Sequence, residues 1–198
     1  MTGDYHDDPA RPSRFLVDNI DLLPRGLALD VAMGNGRNAI YLAKMGFDVE
    51  GVDISGEAVQ QAIDRAKREG VQLRTMVADL EAFPQFNEGA YDLVICFDYL
   101  QRSLMPYIKR WLKPGGVLVY ETYFEDQAQF GKPRNPDHLL KRNELLDTFR
   151  DFRVLRYRDS GQRRDQEYAE NVTYHCQNQY VLEAHSRKES FPEADPYQ

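Results

Sequence analysis

The sequence has few cysteines, few histidines and no long apolar segment, and each shortage excludes a class of protein. Cys96 and Cys176 are the only two cysteines, too few for a disulfide scaffold, and they predict a reducing, cytoplasmic environment. The four histidines have no metal-ligand spacing, so we expect no metal site. No stretch approaches the roughly 18 apolar residues that a membrane-spanning helix needs, which argues against a membrane protein. The 32 acidic residues outnumber the 25 basic ones, so nucleic acid is not an expected partner.

Length and composition predict one folded domain. A chain of 198 residues falls within the size of a single domain, and its 13 glycines and 10 prolines are close to average usage. We expect a flexible amino terminus over residues 1–11, a domain over 12–185 and a flexible tail over 186–198. The oligomeric state is not indicated.

Short apolar runs alternate with segments of helical periodicity over most of the chain. The predicted strands cover 27–31, 47–52, 71–78, 91–97 and 117–120, and the predicted helices cover 12–24, 36–45, 55–70 and 104–112. This alternation predicts an α/β fold, a Rossmann-like, doubly wound and mainly parallel sheet. Two further strand-like runs, 152–158 and 172–184, are predicted to form an antiparallel hairpin that brings the sheet to seven strands.

The turn after the first predicted strand is the most informative part of the sequence. Gly34 and Gly36 allow the backbone to turn sharply beside a ligand, and Asp53 follows Gly34 by 19 residues. Gly34-x-Gly36-x-x-Ala39 fits the dinucleotide pattern, whereas Asp30-x-Ala32-x-Gly34-x-Gly36 adds a carboxylate before the turn. The pattern alone leaves open a dinucleotide and a cationic cofactor, although the acids suit a cationic cofactor better than a pyrophosphate.

Four segments resemble the successive motifs of class I S-adenosylmethionine-dependent methyltransferases: 30–38, 52–55, 78–79 and 112–116. The Gly-Arg-Asn run at 36–38, with 39–43, is more narrowly similar to the small tellurite-resistance-type methyltransferases. The resemblance implies S-adenosylmethionine as cofactor, with Asp53 at the ribose hydroxyls and Asp79 near the adenine amino group. It implies these cofactor-binding residues: Asp30, Ala32, Gly34, Asn35, Gly36, Asp53, Ile54, Asp79, Leu80 and Phe97. Ala32 stands where the family usually has glycine.

The residues after the fourth and fifth predicted strands are candidates for a small-molecule acceptor site: Asp98, Tyr99, Glu121 and Tyr123. Methyl transfer needs mainly positioning, and an anionic acceptor such as a thiolate or a metalloid oxyanion needs no general base, so no catalytic residue is assigned. Two alternatives remain open. One is an NAD-binding oxidoreductase, although no Tyr-x-x-x-Lys occurs, and the other is a non-catalytic protein that binds S-adenosylmethionine.

Overall fold

A computed structural model of the protein describes residues 10–82, 86–159 and 177–184. The helices are α1 (Arg14–Asp18), α2 (Arg37–Lys44), α3 (Gly56–Arg68), α4 (Met105–Trp111) and α5 (Glu144–Thr148). The strands are β1 (Leu27–Val31), β2 (Asp48–Asp53), β3 (Arg74–Val77), β4 (Tyr91–Phe97), β5 (Leu112–Tyr123), β6 (Phe152–Asp159) and β7 (Gln177–Ala184). No helix within these ranges is long and apolar enough to cross a membrane.

The seven strands form one sheet in the order β3-β2-β1-β4-β5-β7-β6. Neighbours among β1 to β5 run parallel, and β7 runs antiparallel to both β5 and β6. This arrangement confirms the predicted Rossmann-like sheet with an antiparallel carboxyl-terminal pair. The strand order reverses between β1 and β4, and a crevice for ligands opens at such a point, outside the carboxyl ends of the strands.

The centre of the sheet is buried on both faces, which explains why β1 and β4 are nearly continuous apolar runs. In β1, Leu29 and Val31 belong to one apolar cluster, together with Trp111 of α4. Ala28 belongs to the other cluster, together with Phe15 of α1 and Leu42 of α2. Because successive strand residues point to opposite faces, a strand covered on both sides is apolar at most positions, and the buried Asp30 is the polar exception in β1.

Strand β5 differs most from its prediction, since it begins at Leu112 and not at Val117. The glycines and proline at 113–116 suggested a break, but they form an irregular start of the strand. Gly115 has φ +79°, and the register between β4 and β5 shifts between Tyr91 and Leu93. Glycine in a strand can therefore mark a bulge and not an end.

Other predicted boundaries also move. The predicted strand at 71–78 is only Arg74–Val77, and the predicted helix at 12–24 divides into α1 and a 3-10 turn over Ile20–Leu22. In the described part of the β3–β4 connection, the helical structure is a 3-10 turn at Leu80–Ala82. The predicted flexible ends, apart from residues 10 and 11, and the start of the last predicted strand lie outside the described residues, at 1–9, 172–176 and 185–198.

Candidate active site

A cavity of about 760 Å³ lies at the carboxyl ends of the parallel strands. This volume is within the range of about 300–1,000 Å³ that is usual for small-molecule sites. The cavity is lined by Asp30, Ala32, Met33, Gly34, Asn35, Arg37, Asn38, Asp53, Ile54, Asp79, Leu80, Glu81, Phe97, Asp98 and Tyr99. Most predicted site residues are therefore brought together, and Gly36, Glu121 and Tyr123 are not among the lining residues.

The loop between β1 and α2 has a left-handed backbone at alternate residues. Ala32, Gly34 and Gly36 have φ angles of +57°, +55° and +75°. A Cβ on Gly34 would have no heavy atom within 4 Å, whereas one on Gly36 would lie 2.8 Å from the Cβ of Ala62. Gly34 is therefore open to the cavity, while Gly36 allows the loop to pack against α3.

Asp53, at the end of β2, holds this loop in place. One carboxylate oxygen, Oδ2, accepts a hydrogen bond of 2.8 Å from the backbone N–H of Gly34. The other, Oδ1, accepts a bond of 2.9 Å from the N–H of Ser55. A carboxylate has about four lone-pair sites, so the half-buried Asp53 retains capacity for ligand hydroxyls.

Asp30 is a buried acid with an unsatisfied oxygen. Its exposed fraction is 2%. Its Oδ2 is buried and has no hydrogen-bond partner among the described residues. Burial raises the pKa of Asp30 to about 8, although the positive charge of Arg37 and the N–H of Ala39 act in the opposite direction. The carboxyl is therefore largely protonated at neutral pH until a cation approaches it.

One side of the cavity combines apolar surface with an acid. Ile54 is 67% exposed, which is unusual for a large aliphatic side chain, and Leu80 is buried nearby. Asp79 is exposed, and its Oδ1 accepts a hydrogen bond of 2.8 Å from the N–H of Glu81. This surface suits a flat apolar ring with a polar edge.

The opposite side follows β4 and has a strained backbone. Asp98 has φ +55°, and its N–H donates a hydrogen bond of 2.8 Å to the carbonyl of Glu121. Its carboxylate forms an ion pair of 2.7 Å with Arg37 Nη2. Tyr99 donates from its hydroxyl to Gln101 Oε1 at 2.6 Å, and burial is the main cause that raises the pKa of Tyr99 to about 12. Tyr99 is therefore neutral at physiological pH.

Glu121 and Tyr123 are not among the residues that line this cavity, and their place at the acceptor stays a prediction. Glu121 is 5% exposed, and its Oε2 accepts a hydrogen bond of 2.7 Å from the hydroxyl of Ser13. The N–H of Ser13 in turn donates to Asn38 Oδ1 at 2.8 Å. Glu121 thus anchors the segment before α1 to the cavity wall. Tyr123 is half-buried in the ladder between β5 and β7.

Four lining residues are outside the predicted set, namely Met33, Arg37, Asn38 and Glu81. Each lies within two residues of a predicted residue in the sequence, so proximity along the chain was the available signal. No group of three or more histidine, cysteine, aspartate or glutamate side chains in the described ranges could hold a metal ion.

The fold and the site define an α/β protein whose acid-lined cavity at a strand-order reversal suits a cationic small molecule. Comparison with known proteins shows similarity to methyltransferases. Residues 28–116 match the family model of a methyltransferase domain. The chain is 31% identical over 139 residues to hemagglutinin 1 of Eikenella corrodens, covering 67% of this chain and 45% of that protein.

It is also 33% identical over 99 residues to the ubiquinone biosynthesis O-methyltransferase of Pectobacterium carotovorum, covering 48% and 41% of the two chains. The chain thus spans less than half the length of these relatives. The structure of TehB from Haemophilus influenzae superposes with a TM-score of 0.71 and 21% identity, covering 86% of this chain and 61% of that one. Residues 28–116 are thus similar to a methyltransferase domain, and S-adenosylmethionine is the cofactor that this similarity implies.

Proposed function

We propose that this protein transfers the methyl group of S-adenosylmethionine to a small-molecule acceptor by in-line displacement. The observation that carries the proposal is the buried, unpartnered Oδ2 of Asp30 in an acid-lined cavity. S-adenosylmethionine supplies an activated methyl group on a positively charged sulfonium, and it also carries a positive amine. A buried acid without a partner gains most from such a cation, because burying an unpaired polar group is costly.

The described residues fit this cofactor along its whole length. Asp53 would accept from the ribose hydroxyls while it holds the loop, and Ile54 and Leu80 would contact the adenine ring. Asp30 would pair with the amine, and the open face of Gly34 would let the methionine part approach the backbone. A dinucleotide fits less well, because its pyrophosphate would bring negative charge to these acids.

We propose an anionic acceptor, such as a thiolate or a metalloid oxyanion. Such an acceptor already carries its attacking electron pair, so the site needs no general base. The protein would then contribute mainly positioning, which can supply about 7–11 kcal/mol of the barrier. Arg37, the sole cation among the described lining residues, supports a negative group in the cavity. The narrower similarity to tellurite-resistance-type enzymes, carried by residues 36–38, is part of this proposal.

Binding and turnover are tested separately. Calorimetry with S-adenosylmethionine, S-adenosylhomocysteine and NAD should show binding of the first two and none of NAD. Methyl-labelled S-adenosylmethionine should then transfer label to thiols or to selenite and tellurite, and not to amines or catechols. Binding of NAD alone would favour an oxidoreductase. Tight binding of S-adenosylhomocysteine without label transfer to any acceptor or metabolite extract would favour a non-catalytic protein.

A further inference from the structure

The ion pair between Arg37 and Asp98 spans the crevice where the strand order reverses. Arg37 is the first residue of α2, which follows β1, and Asp98 follows β4 directly. Arg37 Nη2 and Asp98 Oδ2 are 2.7 Å apart, and the side chains are 26% and 37% exposed. Both residues line the cavity, so the pair lies inside the site and not on a distant surface.

Charge in the cavity is unbalanced around this pair. The acids that line it are Asp30, Asp53, Asp79, Glu81 and Asp98. Among the described lining residues Arg37 is the one basic side chain, and in this structure its partner is one of those acids. Any anionic group that enters the cavity would therefore be attracted to the guanidinium of Arg37, which already pairs with Asp98.

The backbone of Asp98 is held in a conformation that aspartate adopts only rarely. Its φ of +55° lies in the left-handed region, and the hydrogen bond from its N–H to the Glu121 carbonyl keeps it there. Strained backbone at a non-glycine residue persists where the surrounding structure imposes it, and it is common at ligand-binding sites. The strain positions the carboxylate across the crevice from α2.

We propose that this pair is a displaceable latch, in which an anionic group of the bound ligand replaces the Asp98 carboxylate on Arg37. One anion is exchanged for another, so the guanidinium stays compensated. A partly exposed ion pair contributes little stability, so opening it costs little. The inference rests on the proposed function only for the ligand's identity. The group recognised is a carboxylate or similar oxyanion, from either the methionine part of the cofactor or the acceptor.

Substitution of the two partners of the latch should affect ligand affinity differently. Arg37→Gln should weaken binding of an anion-bearing ligand by about tenfold or more, because a charge-assisted contact is lost. Asp98→Asn should leave that affinity unchanged or raise it by about two- to fivefold, because the competing carboxylate is removed. The matched control is Arg74→Gln, which breaks a 2.8 Å pair with Asp48 away from the cavity and should not change affinity. Equal losses in both cavity variants would indicate a fixed structural bridge and overturn the proposal.

The NMR signal of the Arg37 Nε–H group in ¹⁵N-labelled protein distinguishes the two sources of the anion, the cofactor and the acceptor. The signal is assigned by its disappearance in Arg37→Gln. A shift with S-adenosylhomocysteine but not with 5′-methylthioadenosine, which lacks the amino-acid part, assigns the cofactor carboxylate. A shift with acetate while S-adenosylhomocysteine is bound assigns the acceptor. If none of these anions moves the signal, the latch is wrong. If the wild type binds neither nucleoside, the proposed function fails, but acetate still tests the latch.

Discussion

Two crevices lie at opposite ends of the sheet, one of about 760 Å³ at the carboxyl ends of the parallel strands and one of about 590 Å³ at their amino ends. Each basic residue that lines the amino-end crevice is paired with an acid: Lys109 with Asp151, Arg110 with Glu88 and Lys113 with Asp92. At the carboxyl end acids exceed bases, and an oxygen of Asp30 is buried without a partner.

The two crevices also differ in their backbone conformation. Two non-glycine residues with positive φ, Ala32 and Asp98, line the carboxyl-end cavity, and the amino-end crevice has none among its lining residues. Strain and unsatisfied polar groups lower stability, so their concentration at one end indicates that a ligand compensates for them there. Size alone does not distinguish the two crevices, but the state of their charges and backbone does.

The largest expected effect contrasts an acid at each end. Asp53→Ala removes the acceptor for two backbone N–H groups and, in the proposed role of Asp53, for the ribose. It should weaken S-adenosylhomocysteine binding by about 10- to 100-fold, since a hydrogen bond to a charged group is worth about 1.5–3 kcal/mol. Asp92 accepts from the N–H of Leu27 at 2.9 Å and pairs with Lys113. Although burial pushes the pKa of Asp92 up, the hydrogen bonds from Lys113 and Leu27 bring it below its usual value.

Asp92→Ala should therefore lower the free energy of unfolding by about 1–3 kcal/mol and leave the affinity unchanged. Calorimetry and urea unfolding of both variants measure the contrast. A similar loss of affinity in the two variants would remove the functional distinction between the ends of the sheet.

A second contrast divides the carboxyl end itself. Gly34→Val and Gly36→Val both place a side chain at positive φ, at a cost of about 1–2 kcal/mol. The added side chain at 34 would enter open space in the cavity, whereas that at 36 would collide with Ala62. We expect Gly34→Val to abolish binding in a folded protein and Gly36→Val to lower the melting temperature more. Thermal unfolding and calorimetry distinguish them, and retained affinity in Gly34→Val would contradict the assignment of this loop to the cofactor.

The charge state of Asp30 predicts a pH dependence. Its native pKa of about 8 lies above its usual value of 3.8, so the native state holds more protons than the unfolded state between these values. Stability without ligand should therefore fall as the pH rises from about 4 to about 8, and Asp30→Asn should remove that slope. Urea unfolding across this range measures it.

Cofactor binding should reverse the protonation of the same group, because a cationic amine selects the carboxylate. Calorimetry at neutral pH in buffers of different ionisation enthalpy should show proton release when S-adenosylhomocysteine binds, and Asp30→Asn should abolish it. Binding without a change in protonation would mean that Asp30 does not contact the amine.

The smallest expected effect concerns Ala32. At the φ of +57° that Ala32 adopts, a residue with a Cβ loses about 1–2 kcal/mol of stability. Glycine avoids this strain but lowers stability by about 0.4–1 kcal/mol, because it gives the unfolded chain more conformational freedom. Ala32→Gly should therefore raise the free energy of unfolding by less than about 2 kcal/mol. Urea unfolding gives the value, with Ala62→Gly, in a right-handed helix, as the opposite control. A loss of stability in Ala32→Gly would show that the loop is not strained.

Features that depend on local chemistry were predictable from the sequence. The apolar runs of β1 and β4 and the helical periodicity of α4 predicted their elements closely. Asp53 and Asp79 were identifiable because each directly follows a predicted strand, and the carboxyl ends of a parallel sheet form a site.

Features that depend on distant partners were not predictable. Glu121 meets Ser13 across 108 residues, and Arg37 meets Asp98 across 61. Both contacts follow from the register of the sheet, which places the ends of β1, β4 and β5 side by side, and no sequence pattern encodes that placement. Glu121 was therefore expected at the acceptor although it anchors the amino-terminal segment.

The sequence by itself determined the alternation of strands and helices, the turn at residues 30–38 and the acids that follow successive strands, because each of these depends on neighbours along the chain. Only the tertiary structure decided which acids are paired with a basic residue, such as Asp92, and which have an oxygen without a hydrogen-bond partner, such as Asp30. Desolvation and pairing depend on the atoms that surround a carboxylate in space, and for Asp30 and Asp92 those atoms come from opposite ends of one sheet.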